Sequence, residues 1–273
     1  MAEEIKESLG DRMKRFEKAN KTKLNRDEPV IIRLDGQAFH TYTAGFVKPF
    51  DEVLIAAMQY TMVRLCEGIM NVRIGYTQSD EITLVLLAGE KQESQLWFDG
   101  TADKIITISA SMATAFFNEY MDKIKWMPEK MRQDLFPGSK INMKKLAFFD
   151  SRAWNVPSHD EAMNCLLWRQ RDCIKNSVSS LAQFHFSHRQ LHKKNQDDMK
   201  NMLVELGHPW DDLPVFKQRG TCSVKKRYIH RAETGDVVER TKWDLDLKIP
   251  EFGIDREYIS KIFRSPLYNT DSQ

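Results

Sequence analysis

An α+β fold is predicted for this 273-residue chain by three observations. Short apolar runs near residues 30–34, 72–77, 82–87 and 146–149 read as strands, and segments of helical period separate the first from the second and the third from the fourth. Two of these runs carry carboxylates at one end: Asp35 closes the first, and Asp80 and Glu81 lead into the third.

The elements follow in order. Ile5, Leu9, Met13 and Phe16 recur at helical spacing and predict an amphipathic helix over 4–20. Val30, Ile31, Ile32 and Leu34 form a buried strand that delivers Asp35 to its tip. A polar loop closed by Lys48-Pro49 precedes a helix over 51–67, with Val53, Leu54, Ala57, Met58, Met62 and Leu65 on one side and Gly68 as its stop signal. Residues 72–77, a polar turn at 78–80 and the run to Leu87 make a β-hairpin. A helix over 103–121, rich in Ala and Ser where it packs closely, leads to a strand over 146–150. Strand, helix, strand, strand, helix, strand is the βαββαβ order of ferredoxin-like folds, an antiparallel sheet with two helices on one face. Polymerase palms and nucleotidyl cyclases use this unit and carry acids on the first strand and on the hairpin, where this chain has them.

Residues 1–150 are therefore expected to form a palm-like catalytic domain with an N-terminal helix, and 151–273 a mostly helical region packed on it. Ser158 to Glu161 matches a capping box opening a long helix through Trp168 and Asp172. A further helix over 194–206 ends at Gly207 and Pro209. Residues 225–231 and 237–243, joined by a turn at 234–236, resemble an exposed hairpin. The tail from Asn269 to Gln273 is expected to fray.

Composition is that of a globular protein, 41% hydrophobic and 29% charged. No apolar run approaches the roughly 20 residues of a membrane span, and the charged N-terminus is not signal-like, so a cytoplasmic protein without membrane contact is expected. Cys66, Cys165, Cys173 and Cys222 are too scattered for a zinc pair and read as core residues. The net charge is +2, but residues 181–231 hold ten Lys and Arg against five acids, and five of the seven histidines. Such a segment fits a face that tracks phosphates, or a solvated charged helix. His185, His188 and His192, at helical intervals without a nearby acid or cysteine, fit an RNA-facing or solvated surface better than a metal cluster.

Two acids meeting at one strand edge suit magnesium, a hard cation that chooses oxygen ligands, and paired ions clamp the attacking and leaving oxygens of phosphoryl or nucleotidyl transfer. Taken singly, Asp35-Gly36 and Ser79-Asp80 also fit ordinary turn chemistry. Eight motifs lie in one order: Arg33-Leu34-Asp35-Gly36, Phe39-His40, Lys48-Pro49-Phe50-Asp51, Tyr76-Thr77-Gln78-Ser79-Asp80-Glu81, Asp103-Lys104-Ile105, Phe149-Asp150-Ser151-Arg152, Trp168-Arg169-Gln170-Arg171-Asp172-Cys173 and Arg219-Gly220-Thr221. With these the chain resembles the tRNA-His guanylyltransferase family, reverse polymerases that add nucleotides to a tRNA 5′ end.

The resemblance implies magnesium-dependent 3′-to-5′ addition after activation of the tRNA 5′ end by ATP or GTP. It assigns Asp35 and Asp80, with the Gly36 carbonyl, to two magnesium ions, and makes Glu81 a supporting catalytic carboxylate. Gly36, Gln37, Ala38 and Phe39 would offer backbone N–H groups to a triphosphate; His40, Lys48, Phe50, Asp51, Ser79 and Lys104 match nucleotide-binding positions. Phe50 and Asp51 equally fit a hydrophobic staple and a helix N-cap, and Lys48 and Lys104 equally fit solvated lysines. Arg33, Arg152, Arg169, Lys175 and Asn176 are candidates for the tRNA 5′-phosphate or a second triphosphate, whereas Arg169 with Asp172, or Arg152 with Asp150, would also make ordinary ion pairs. Trp168 reads as core rather than as a base-stacking platform. The family also implies tRNA and NTPs as partners and a homotetramer, a dimer of dimers.

Three departures point to a guanylyltransferase-like branch that prefers templated repair of 5′-truncated tRNA over tRNA-His-specific G−1 addition. The family's His-Ile-Asn-Asn is Ile174-Lys175-Asn176-Ser177, its frequent Arg after Asp-Gly is Gln37, and a common basic residue is Thr101. G−1 addition, a nucleotide cyclase on the same palm and a non-catalytic tRNA-binding module are the alternatives.

Overall fold

The computed structural model describes residues 7–19, 21–88, 94–139, 145–231 and 237–265. Its strands are β1 (Val30–Gly36), β2 (Val72–Gln78), β3 (Glu81–Leu86), β4 (Phe149–Asn155), β5 (Thr221–Arg231) and β6 (Val237–Asp246). Its helices are α1 (Leu9–Lys18), α2 (Phe39–Tyr42), α3 (Glu52–Gly68), α4 (Ala102–Trp126), α5 (Glu129–Leu135), α6 (His159–His185), α7 (His188–Leu191), α8 (Gln196–Glu205), α9 (Val215–Arg219) and α10 (Glu257–Arg264). The strands form one sheet in the order β4-β1-β3-β2-β5-β6, every neighbouring pair antiparallel. The α+β class expected from the element order is the class observed.

Side chains alternate across a strand, so β1 feeds two cores. Val30, Ile32 and Leu34 pack with Met58, Met62 and Leu65 of α3 and Ile105, Ala113 and Phe117 of α4. Ile31 turns the other way and joins Ile74, Tyr76 and Val85 beneath Met163 and Leu166 of α6 and Ile259, Ile262 and Phe263 of α10. Two-sided burial explains why β1 and β3 read as continuous apolar runs. It also corrects the expectation of helices on one face only: the α6–α10 layer covers the second.

The boundary expected at residue 150 falls inside β4, and β5 extends the sheet from β2, so both halves of the chain share one sheet. The last strand of the split motif begins three residues later than predicted. Phe149–Asn155 is a polar edge strand, while Leu146 and Phe148, which suggested the earlier start, are exposed. Only half of the capping box at α6 forms: Ser158 Oγ accepts from the Glu161 N–H, and the Glu161 carboxylate instead takes an N–H from Asn164. All four cysteines are free; three are buried and Cys165 is half-buried. The hairpin of β5 and β6 forms as expected, its turn at 234–236 lying outside the described residues, as do positions 4–6 and 20 of the expected N-terminal helix and the tail from Asn269; α1 itself starts later than expected, at Leu9, where Ser8 Oγ accepts the Asp11 N–H. No helix among the described residues is long and apolar enough to cross a membrane.

Candidate active site at the end of the sheet

Cross-strand register, rather than proximity in sequence, assembles the acids. β1 lies between β4 and β3, and Asp35 is opposite Asp150 on one side and Glu81 on the other. Two residues back, on the same face, Arg33 is opposite Arg152 and Thr83. A row of carboxylates at the strand ends is thus backed by a pair of arginines about 6.6 Å further in. Asp80 joins from the β2–β3 turn, where Ser79 takes a left-handed φ of 50° and the Asp80 carbonyl accepts the Gly36 N–H at 3.0 Å. Burial, then the negative charges of Asp80 and Asp150, raise the Asp35 pKa above its ordinary value; Arg33 and Arg152 oppose this.

Like charges held together need a counter-ion. Among the described residues no three His, Cys, Asp or Glu side chains converge on a complete metal cage.

Glu81 is tied into the protein. Its two oxygens accept from Arg169 Nε at 2.6 Å and Nη2 at 2.8 Å, with both side chains about nine-tenths buried, and Arg169 Nη2 also reaches Asp172 at 3.0 Å. Burial pushes the Glu81 pKa up and the guanidinium pulls it back. Arg169, a candidate for RNA phosphate, is spent on this pair: its planar fork clamps α6 to the end of β3, immediately behind Asp80.

Between Asp35 and α3 the chain turns on Gly36, Gln37 and Ala38, the last at φ 52°. The Gly36 and Gln37 N–H groups are already engaged, by Asp80 O and Phe148 O. First-turn N–H groups of α2 have no intrahelical acceptor, so Ala38 to His40 are where backbone could meet phosphate. The Phe39 side chain is core, with ring centroids 5.1 to 5.4 Å from Tyr42, Phe117 and Phe149. A Cβ on Gly36 would overlap the Phe39 ring. Gly36→Ala is therefore expected to lower stability by about 1–3 kcal/mol and to weaken nucleotide binding, read by chemical denaturation and by titration with ATP.

A cavity of about 130 Å³ opens beside the turn, lined by Phe50, Asp51, Gln78, Ser79, Asn176 and Lys217 among others. Phe50 and Ser79 line this cavity together. Asp51 is instead occupied as the N-cap of α3: Oδ1 accepts from Val53 and Leu54 N–H and Oδ2 from Val47 N–H and Ser139 Oγ, leaving it 4% exposed. The helix-cap reading of Asp51 is the one realised. Gln37, His40 and Lys48 are exposed, and His40 Nε2 lies 3.0 Å from Thr41 Oγ1.

Lys104 is not brought to the acids. It sits on α4, which covers the opposite sheet face, with its ammonium 5.9 Å from the Phe98 ring; the cations acting on Asp35 are Arg33 and Arg152. Lys175 and Asn176, neighbours in sequence, face different spaces: Asn176 lines the small cavity and Lys175 an open one of about 480 Å³ with Trp168 and Ile174. The Arg152–Asp150 pair is loose, at 3.8 Å, with both side chains more than half exposed. The histidine group assembles no metal site among the described residues; His185 stacks on His208 at 4.4 Å.

Asp150 was not among the sequence candidates, although a signal existed. Arg33-Leu34-Asp35 and Asp150-Ser151-Arg152 are mirror images, as antiparallel neighbours must be if like residues are to pair.

The comparisons accord with this arrangement. The family model described as tRNAHis guanylyltransferase matches residues 10–157. An uncharacterized protein of Acanthamoeba polyphaga mimivirus is 28% identical over 82% of this chain and 79% of its own length. tRNA(His) guanylyltransferase 2 of Arabidopsis thaliana is 29% identical over 70% of this chain, which spans only 35% of that larger protein. A bacterial tRNA(His) guanylyltransferase (Thg1)-like protein, solved in complex with ATP, superposes with a TM-score of 0.79 at 40% identity, over 93% of this chain and 99% of that one. The Saccharomyces cerevisiae tRNA(His) guanylyltransferase, at 21% identity and a TM-score of 0.62 over 76% of this chain and 90% of that one, shares the fold. Motif order, sheet register and these matches together establish that the chain belongs to the tRNAHis guanylyltransferase family of nucleotidyltransferases.

Proposed function

We propose that this protein is a magnesium-dependent tRNA nucleotidyltransferase that extends the 5′ end of truncated tRNA in the 3′-to-5′ direction, templated by the opposing strand. The observation that carries this reading is the acid row of Asp35, Glu81 and Asp150 at the end of β1, with Asp80 on the turn whose Ser79 lines a small cavity. The strand order β4-β1-β3-β2 is what a ferredoxin-like palm requires, and a bacterial Thg1-like relative has been solved with ATP and with GTP.

Two transfers share the site. In the first, an oxygen of the tRNA 5′-phosphate attacks the α-phosphorus of ATP or GTP and pyrophosphate leaves. In the second, the 3′-hydroxyl of the incoming NTP attacks the activated 5′-phosphorus, its proton passing to solvent as the nucleoside monophosphate leaves. Asp35, Asp80 and the Gly36 carbonyl would hold two magnesium ions, which supply Lewis-acid polarisation and a more acidic attacking hydroxyl. Arg33 and Arg152, one row behind, would bind the phosphates of the second reactant through their guanidinium forks. Phe50, Ser79 and Asn176 line the base cavity. Arg169 holds Glu81 and so fixes the turn carrying Asp80. Incubating 5′-monophosphorylated tRNA with radiolabelled ATP and magnesium tests the first transfer; a 5′-adenylylated tRNA is expected, and Asp80→Ala should not form it.

The β5–β6 hairpin supplies a groove-independent contact suited to RNA, whose backbone is recognised largely by shape and charge. Lys226 is opposite Lys242, and Tyr228 opposite Arg240, on one face of the ribbon. Arg240→Ala with Lys242→Ala is expected to weaken tRNA binding and to flatten its log–log salt dependence by about 2, leaving ATP binding intact. Filter binding across salt concentrations reads this.

Leu9, Met13 and Phe16 make an exposed apolar stripe on α1, which supports assembly with further copies of the chain into the tetramer implied by the family. With Ile174 in place of the family histidine, G−1 addition to tRNA-His is the alternative reading, and Ile174→His alone should not confer tRNA-His specificity, because Lys175 and Ser177 also differ from the family's motif. A cytoplasmic setting suits the substrate.

A further inference from the structure

Trp168 is 53% exposed, against the expectation from sequence that it belongs to the core. About half of the residue's surface is therefore open to a ligand. Its other contacts hold it firmly. The Arg169 guanidinium lies 4.5 Å and that of Arg33 5.5 Å from the ring centroid. Arg169 is itself locked by Glu81, and Arg33 stands two residues from Asp35 on the same sheet face. The ring is therefore pre-positioned beside the acid row, at little cost in rotamer entropy when something stacks on it.

We infer that Trp168 is a stacking platform for the terminal base of the RNA 5′ end, an inference that rests on the proposed function and names a contact for its polymer substrate. A base can stack on an indole whatever its identity, which suits an enzyme that takes sequence from a template and shape from the protein. The polymer, rather than the free nucleotide, is assigned to this side because the two cavities flanking α6 differ in size. Asn176, Ser177 and Ser180 line the small one, of about 130 Å³, whereas Trp168, Arg171 and Lys175 line the open one, of about 480 Å³. A chain end with its paired strand needs the open side. Arg171 and Lys175 there are balanced by Asp172 and Glu251, so net charge does not explain the site and the aromatic surface does.

The test compares wild type, Trp168→Ala and Trp168→Phe in binding and in nucleotide addition, with a 5′-triphosphorylated tRNA and the same tRNA abasic at its 5′-terminal nucleotide. Trp168→Ala should raise the Kd and KM for intact tRNA about tenfold with kcat little changed, and Trp168→Phe should recover most of the loss. Removing the base should penalise wild type by a similar factor and Trp168→Ala hardly at all, because both changes delete one contact; a merely structural role would leave the two penalties independent. Independent penalties, or unchanged tRNA affinity in Trp168→Ala, would overturn the inference, as would a loss confined to ATP affinity, which would assign the ring to the free nucleotide. If Trp168→Ala is poorly folded, Trp168→Phe and Trp168→Leu decide: equal tRNA affinity in the two contradicts stacking. Absence of nucleotide addition by wild type on any tRNA would sink the proposed function instead, and the binding cycle still reads the stacking contact separately.

Discussion

Asp35→Asn is expected to abolish most nucleotide addition, by roughly 10²–10³-fold or more, and at the same time to make the metal-free protein melt at a higher temperature. Both results follow from one arrangement. Asp35 is pushed toward its protonated form by burial and by Asp80 and Asp150. A carboxylate whose pKa is higher in the folded than in the unfolded chain binds its proton more tightly when folded. Its contribution to stability is therefore present at low pH and is lost as pH rises from the ordinary aspartate value of 3.8 through the raised folded value. Asparagine removes that loss. Melting curves between about pH 4 and 7 should show a stability gain in Asp35→Asn that grows with pH and levels off above the folded pKa. Magnesium, by binding the folded form, should raise the Tm of wild type and do so much less in the variant. Equal Tm values with and without magnesium in wild type would remove the reason for the acid row.

Arg169→Ala is the second large effect, opposite in sign for stability. Glu81 and Arg169 are joined by two short hydrogen bonds at a site that water hardly reaches. Removing one partner of a buried pair strands the other, a loss of about 3–5 kcal/mol. The variant should lose stability by that amount in urea unfolding and lose nucleotide addition as well, since the turn bearing Asp80 is no longer anchored to α6. Replacing both, Arg169→Met with Glu81→Leu, should restore most of the stability, because well-packed apolar groups replace a buried ion pair without penalty in many proteins. Nucleotide addition should stay low in the double variant, because a carboxylate beside Asp80 is gone. Additive losses in the double variant would show that the two side chains do not act as a pair.

How far these features were legible in the sequence depends on whether they are local. The strand bearing Asp35, the helix capped by Asp51 and the turn carrying Ser79 and Asp80 were readable because turns, caps and periodicity act over a few residues. Asp150 was not singled out because β4 is a polar edge strand with a weak pattern, and its pairing with β1 spans more than a hundred residues. Trp168 was misassigned because an apolar residue on a helix defaults to the core, and nothing within one turn of α6 says that the neighbouring space is open. Arg169 is the intermediate case. Its type and neighbourhood fitted both phosphate and carboxylate, and only the fold supplied Glu81 as the partner. Lys104 matched a motif by order alone, while α4 carries it on the sheet face away from Asp35.

The most direct test of the central claim is extension of a tRNA lacking its first 5′ nucleotide and carrying a 5′-triphosphate, with magnesium and each of the four NTPs in separate reactions, by wild type and Asp35→Ala. Addition of the NTP complementary to the opposing 3′-strand base, and of no other, with loss in Asp35→Ala, is the predicted result. Addition of G regardless of the opposing base would instead make this a non-templated guanylyltransferase, and no addition by wild type would contradict reverse polymerisation at the acid row altogether.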